Sequence, residues 1–431
     1  MLGELPLQAN GTRQGFAGSV GSDPLQSVDP AVWALIHGDR ERHTRTLNFI
    51  ASENYTSQAV LECLSSHLNV KYAEGYPGAR YYQGVGQVDD IEQLAIDRAR
   101  ELFGAEHANV QPYSGSPANM ATYFALIQPG DTILGMDLSQ GGHLTHGSPV
   151  SFSSKLFKAE HYSVDPGTEL LDHDQVEAVA KRVQPRLIIA GASAYSRIID
   201  WKAFRDIADR VGALLVADIA HIAGLVAAGV HPSPVPFADA VTTTTHKSLR
   251  GPRGALILCK AEHAKAIDRA VFPMLQGGPH LSAIAAKAVC FKEAMEPSFR
   301  VYQERVASNA RALAEGLMRG GIQVVSGGTE NHLLVIKLLD REYSGKAFAR
   351  ALERTGIITS FSTIPGDPRK PGVGSGVRFG TPAVTSRGAD ERQMQRVAEI
   401  IAAAAEDPTD EAALDRLRIE VEVIARELQS V

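Results

Sequence analysis

"ALLVADIAH", residues 213–221, runs through five apolar positions into Asp218 and then His221. A carboxylate at the end of so apolar a run is costly unless something pairs with it. The run itself reads as a strand covered on both faces, and so do "ANVQP" (108–112), "TILGMD" (132–137), "RLIIAGAS" (186–193), "AVTTTT" (240–245) and "GALILC" (254–259). Helical patterns lie between several of these strands. One is "IEQLAIDRARELFG" (91–104), with Ile91, Leu94, Ala95, Ala99 and Leu102 expected on its inner face and Gly104 as its stop. The alternation predicts an α/β fold with a mostly parallel sheet, whose ligands sit beyond the carboxyl ends of the strands.

Past about residue 300 the texture changes. A long charged helix ("FRVYQERVASNARALAEGLMRGG", 299–321) leads to a strand, "HLLVIKLLD" (332–340), and then to a helix capped by Ser344. The loop "STIPGDPRKPGVGSG" (362–376), another strand, "GVRFG" (376–380), and two final helices follow. This predicts a smaller C-terminal α+β domain. The expected division is an N-terminal arm and helix over 1–48, a large domain over 49–300 and the small domain over 301–431. The polar, glycine-containing start, from Met1 to about Pro24, reads as a loose arm without the apolar core of a secretion signal.

Composition narrows the function. Lys plus Arg number 43 against 49 Asp plus Glu, for a net charge of -6 with both signs interspersed, which argues against a nucleic-acid surface. No stretch approaches the roughly 20 apolar residues of a membrane span. Three scattered cysteines, Cys63, Cys259 and Cys290, write neither a disulfide framework nor a metal site, and a cytoplasmic location is expected.

The chemistry gathers at strand ends. "VTTTTHKSLRGPRG" (241–254) places His246 and Lys247 after one strand. A lone lysine there is ordinarily a solvated loop residue, and Asp218 by itself could be a simple cap. "YSGSPANM" sets Ser114, Gly115 and Ser116 before a helix with Pro117 in its first turn, a cradle suited to a phosphate ester. His143, in "MDLSQGGHLTHGS" (136–148), could stack on a flat ring. Lysine for a Schiff base, carboxylate for a heterocyclic nitrogen, phosphate cradle and ring partner together point to pyridoxal phosphate.

These stretches, with "ASENYTS" (51–57), "KYAEGYPGARYY" (71–82), "GGHLTHGSPV" (141–150), "DIAHIAGLVAAG" (218–229), "QGGP" (276–279) and "GVRFGTPA" (376–383), resemble the signature blocks of serine hydroxymethyltransferase. The family has the aminotransferase-like fold type I of pyridoxal-phosphate enzymes, and the likeness runs from about Pro30 into the C-terminal domain. It implies that Lys247 carries the cofactor covalently, Asp218 faces its ring nitrogen, and His143 stacks on the ring. Ser114, Gly115 and Ser116 would hold the phosphate, with His246 beside it and Gly277 and Gly278 reaching in from a neighbouring subunit. Ser193 and His221 would meet the ring oxygen. Arg378 would clamp the amino-acid carboxylate, a task for a planar bidentate donor, with Ser52 and Tyr82 orienting the substrate.

Tyr72 and Glu74 would enter the partner's site, Glu74 managing the proton of the substrate hydroxyl, so that an obligate homodimer or tetramer is expected. Tetrahydrofolate would accept the one-carbon unit, with Tyr81, Leu138, Gly142 and Leu144 lining its site beside Glu74. The implied reaction interconverts serine and glycine. The sequence departs from the family where an Asn-Lys-Asn type segment is usual and Ser360, Phe361 and Ser362 stand instead, and at Gly374, where threonine is usual. Two readings of that departure stay open: variation within a folate enzyme, or a relative acting on an α-substituted serine or cleaving β-hydroxy amino acids without folate. A non-catalytic scaffold would have no reason to keep Lys247, Asp218, Glu74 and Arg378 together.

Overall fold

The computed structural model describes residues 24–430, so the expected loose arm lies outside the described residues except for its last position, Pro24. Two helices, Pro24–Val28 and Pro30–Arg45, lead to short strands: β1 (Leu47–Asn48), then a hairpin of β2 (Gly75–Tyr76) and β3 (Ala79–Arg80). The main sheet follows, with β4 (His107–Asn109), β5 (Thr132–Met136), β6 (Lys158–Tyr162), β7 (Leu187–Gly191), β8 (Leu214–Asp218), β9 (Ala240–Thr244) and β10 (Ala255–Cys259). Its spatial order is β4-β10-β9-β8-β7-β5-β6, and β10 alone runs against the rest.

The continuous apolar runs have a direct cause. Ile188, Ala190, Leu215, Ala217, Leu256 and Leu258 enter the core on one face, while Leu187, Ile189, Val216, Ala255 and Ile257 enter the core on the other. Each face is roofed by helices, so both parities of each strand must be apolar. Strand β6 lies at the sheet edge, where its lysine, glutamate and histidine can stay at least partly exposed.

The helix at Gly86–Phe103 ends as expected at Gly104, whose φ of 68° is the left-handed cap conformation. Ala95 and Ala99 of its expected inner face are buried and Ile91 and Leu102 pack against the same core, so Leu94 alone departs from expectation. Val88, Glu92, Ala95, Ala99 and Phe103 are buried, and Leu94 is 44 % exposed. Glu92 turns inward because it is paired: Arg80 Nη2 donates to it at 2.5 Å and Gln111 Nε2 at 2.7 Å.

The second sheet is antiparallel, in the order β11 (Gln323–Val324), β12 (Leu333–Lys337), β15 (Gly376–Gly380), β14 (Ser360–Ser362), with β13 (Ile357–Ile358) pairing in parallel with β1. Leu334, Ile336, Val377 and Phe379 face a core built with Leu313, Phe348, Leu352 and Val397, which also takes in Leu47 and Phe49. The opposite parity, with Val335, Arg378 and Ser360 in register across three strands, is left for the site.

Candidate active site

The parallel strands deliver their carboxyl ends to one cavity of about 240 Å³. Ser114, Gly115, Ser116, His143, Ser193, Asp218, His221, His246 and Lys247 all line it, joined by Asn119, His146, Thr244 and Arg253, which the sequence reading did not single out.

Lys247 sits just past β9 on a turn that the chain fixes closely. Thr245 N–H donates to the Gly254 carbonyl (3.0 Å), Ser248 Oγ to the His221 carbonyl (2.7 Å), and Asn54 Nδ2 to the Lys247 carbonyl itself (3.1 Å). Asn54 belongs to "ASENYTS", which gives that block a structural task. Burial pushes the Lys247 ammonium down to about 8; Asp218 opposes the shift, and the cations Arg378 and Arg253 add to it.

Asp218 is nearly enclosed, its side chain 10 % exposed. His146 Nε2 and Asn119 Nδ2 each lie 2.9 Å from its Oδ2, and Ala220 N–H donates to Oδ1 at 3.0 Å. Asn119 is held in turn by Thr242 Oγ1, which donates to its carbonyl oxygen at 2.6 Å. Burial would raise the Asp218 pKa, but the hydrogen bond and charge of His146, with help from His143 and Asn119, outweigh it and hold the carboxyl well below its usual range. The carboxylate therefore stays ionised in a dry place. His143, His146 and Asp218 bring their ligand atoms within 4.8 Å of one another. His146 spends its Nε2 on Asp218, however, and His143 Nδ1 is taken by Thr145, 2.7 Å from its Oγ1. Burial drives His143 down to about 4, leaving a neutral ring on the cavity wall.

The anion cradle is equally specific. Ser114 occupies the N-cap of the helix Gly115–Leu126, yet its hydroxyl makes no capping bond. A Cβ at Gly115 would stand 2.8 Å from Thr244 Cγ2, so the close approach there needs glycine. His246 Nδ1 is buried without a partner among the described residues, and Arg253 supplies a cation at the same cavity. Free hydroxyls and N–H groups, a cation, a buried amine, an ionised carboxylate and a neutral ring fit the phosphate, aldehyde, ring nitrogen and ring face of pyridoxal phosphate.

Arg378 reaches this region from β15. Its Nη1 donates to the Ser193 carbonyl (2.7 Å), its Nε is buried without a partner among the described residues, and burial lowers its pKa. Ser360, directly across the ladder, also has a buried hydroxyl without a partner among the described residues, whereas Phe361 turns outward beneath Lys346, 5.9 Å from its ring centroid. Gly374 has a φ of +60°, and a Cβ there would lie 2.3 Å from the Ser362 carbonyl oxygen. The glycine is thus tied to the path of β14.

The remaining expected residues are elsewhere. Tyr72, Glu74, Gly277 and Gly278 line a second cavity of about 440 Å³ with Tyr113 and His280. Arg80 Nη1 donates to the carbonyls of Ala73 and Gly75, both at 2.8 Å, and so pins the backbone on either side of Glu74. Tyr81 and Tyr82 are 73 % and 40 % exposed. Leu138 and Leu144, 39 % and 45 % exposed, flank Gly142 on the loop after β5. Ser52 is half-buried in the turn after β1 and lines neither cavity.

Comparison with known families matches residues 25–401 to the one described as Serine hydroxymethyltransferase. That span carries both cavities and most of the second sheet's core. With a sheet of fold type I, a cavity whose residues fit pyridoxal phosphate and a match over most of its length, the chain belongs to the serine hydroxymethyltransferase family, whose members are pyridoxal-phosphate-dependent transferases of one-carbon metabolism.

Proposed function

We propose that the protein transfers the hydroxymethyl group of L-serine to tetrahydrofolate, leaving glycine. The observation that carries this reading is the placement of Lys247, Asp218 and His143 with the Ser114–Ser116 cradle in one cavity, and of Arg378 beside Ser193 at its edge. Lys247 would hold pyridoxal phosphate covalently, Asp218 would keep its ring nitrogen protonated, and Ser114, Gly115, Ser116, Arg253 and His246 would surround its phosphate. When bound, the cofactor supplies an electron sink for charge developing at the substrate Cα.

The chain's own groups do the rest. Arg378, with a free Nε, takes the substrate carboxylate and orients the Cα–Cβ bond; Ser52 and Tyr82 are assigned to the same substrate. Glu74 accepts the proton of the substrate hydroxyl as the Cα–Cβ bond breaks, and the departing carbon leaves at the oxidation level of formaldehyde. Tyr81, Leu138, Gly142 and Leu144 are assigned to the folate that captures it. Since Tyr72, Glu74, Gly277 and Gly278 line a different cavity from Lys247, they are assigned to the partner's site in a homodimer or larger assembly. Exposed Leu61, Leu64, Val70 and Leu94, on segments that pack against the helix Leu281–Ala294, offer apolar surface for that contact. No helix of the described residues is long and apolar enough to cross a membrane, and all three cysteines are unpaired.

A second reading has one observation in its favour. Ser360, across from Arg378 and with a buried hydroxyl that has no partner among the described residues, is smaller than the family's usual asparagine. That suits a substituent at Cα, as in 2-methylserine. Glycine released from L-serine only when tetrahydrofolate is present supports the first reading; alanine released faster from α-methyl-L-serine replaces it with the second.

A further inference from the structure

Behind the cavity wall a second histidine backs His221. His332, just before β12, has no exposed surface, and its Nε2 lies 3.4 Å from His221 Nδ1. The two rings are tilted by 30° with centroids 5.6 Å apart. Nδ1 of His332 is buried and has no partner among the described residues.

The backbone that carries both rings is fixed on either side. The His332 carbonyl accepts from Thr381 N–H (3.0 Å), Leu333 N–H donates to Asn331 Oδ1 (3.0 Å), and Asn331 Nδ2 donates to the Tyr195 carbonyl (3.0 Å). On the other side, the His221 carbonyl is held by Ser248 Oγ. Burial beside Arg378 and Lys247 pushes His332 down to about 3 and His221 well below its ordinary range, so both rings are neutral.

Two neutral imidazoles in contact share one N–H between them, and only two arrangements exist. If His221 Nδ1–H donates, His332 must carry its own proton on Nδ1, stranding a buried donor. If His332 Nε2–H donates, the stranded atom is a bare lone pair, and both rings adopt the Nε2–H tautomer that imidazole side chains intrinsically favour. Buried N–H groups without acceptors are the rarer defect in folded proteins. The nitrogen facing away from a histidine's partner takes its protonation state from that partner.

We propose that His332 is a positioning residue that fixes His221 as its Nε2–H tautomer, so that His221 presents a hydrogen-bond donor to the cavity. The group it would meet is an anionic oxygen on an aromatic ring. This last point rests on the cofactor reading above; the tautomer itself does not.

The test uses full-length, cofactor-free protein labelled with 15N-histidine, with the His221 resonances identified by their loss in His221→Asn. A protonated Nε2 and an unprotonated, hydrogen-bonded Nδ1 at His221 are expected. A protonated Nδ1 overturns the proposal, and this wild-type measurement decides even if no variant folds. His332→Leu should release His221 into a mixture of tautomers, whereas His332→Gln, which keeps an N–H donor, should restore the wild-type pattern; an unchanged His221 in His332→Leu also overturns it. In the cofactor-loaded enzyme the same pair should shift and restore the visible absorption band, with kcat falling by about tenfold in the leucine variant and KM nearly unchanged. Loss of glycine formation with the tautomer intact would sink the proposed reaction and leave this inference standing.

Discussion

Removing the guanidinium of Arg80 should be among the most damaging single changes outside the cofactor cavity. Its side chain is 1 % exposed and serves four acceptors: Asp89, Glu92 and the carbonyls of Ala73 and Gly75. Arg80→Met leaves Glu92, itself 1 % exposed, with the Gln111 amide as its one hydrogen-bond donor among the described residues. Breaking such a buried pair from one side costs about 3–5 kcal/mol, because a charge is left unpaired in low dielectric. The two lost carbonyl bonds add about 1 kcal/mol each, less whatever water recovers. Asp89 contributes little, being 21 % exposed. We expect about 4–6 kcal/mol, read as a lower midpoint in urea denaturation followed by circular dichroism. Replacing the partner too, as Arg80→Met with Glu92→Met, removes the stranded charge, and the double variant should be at least about 2 kcal/mol more stable than the two single losses added together. The carbonyls that Arg80 holds flank Glu74, so kcat in the folded variant should fall more than KM rises. A single-variant loss below about 1 kcal/mol, or strict additivity, would refute the claim that this buried pair shapes the hairpin.

Lys247, pushed down to about 8, is largely neutral at a pH where a surface lysine is not. The rate at which cofactor-free protein takes up pyridoxal phosphate covalently should therefore rise with pH and level off above about 8; Arg378→Leu, which removes a neighbouring cation, should move that midpoint upward. Asp218→Asn keeps the shape but loses the ionised carboxylate, and kcat should drop by about 10²-fold or more with cofactor still bound. Gly374→Ala forces a Cβ into the left-handed region and toward the Ser362 carbonyl, at a cost of about 1–3 kcal/mol measured by urea denaturation. Inactive Lys247→Ala and inactive Glu74→Gln, unfolded and refolded together, should regain about a quarter of wild-type activity if each site borrows Glu74 from its partner; no recovery despite mixed assemblies would place the whole site in one chain.

Much of this architecture was legible because its causes are local. Six runs became strands β4, β5, β7, β8, β9 and β10; in β5, β7, β8 and β10 the cause is a sheet roofed on both faces, which favours apolar residues at both parities, while the threonines of β9 are β-branched. Asp218 stood out as a charge at the end of such a run, and glycine and serine before the helix at Gly115 marked a cradle. What stayed hidden depends on distant partners. Strand β6, "KAEHY", escaped because an edge position permits polar side chains. Leu94 was expected inside and is largely exposed, while Glu92 is buried; only Arg80 and Gln111, which no local pattern links to it, make that burial stable. His146 lies three residues after His143 in the same quoted stretch, and Asn119 lies on the helix that the cradle opens. Their bonds to Asp218 span 72 and 99 residues, so no local pattern announced them. The same holds for His332, and for the facing of Ser360 toward the ladder position of Arg378, which follows from strand register.

The most direct test supplies cofactor-loaded enzyme with equal L-serine and α-methyl-L-serine in one vessel, with and without tetrahydrofolate, and quantifies glycine and alanine by chromatography. The proposed reaction predicts glycine as the dominant product, formed only with tetrahydrofolate. Alanine outrunning glycine, or glycine formed equally well without folate, would contradict it.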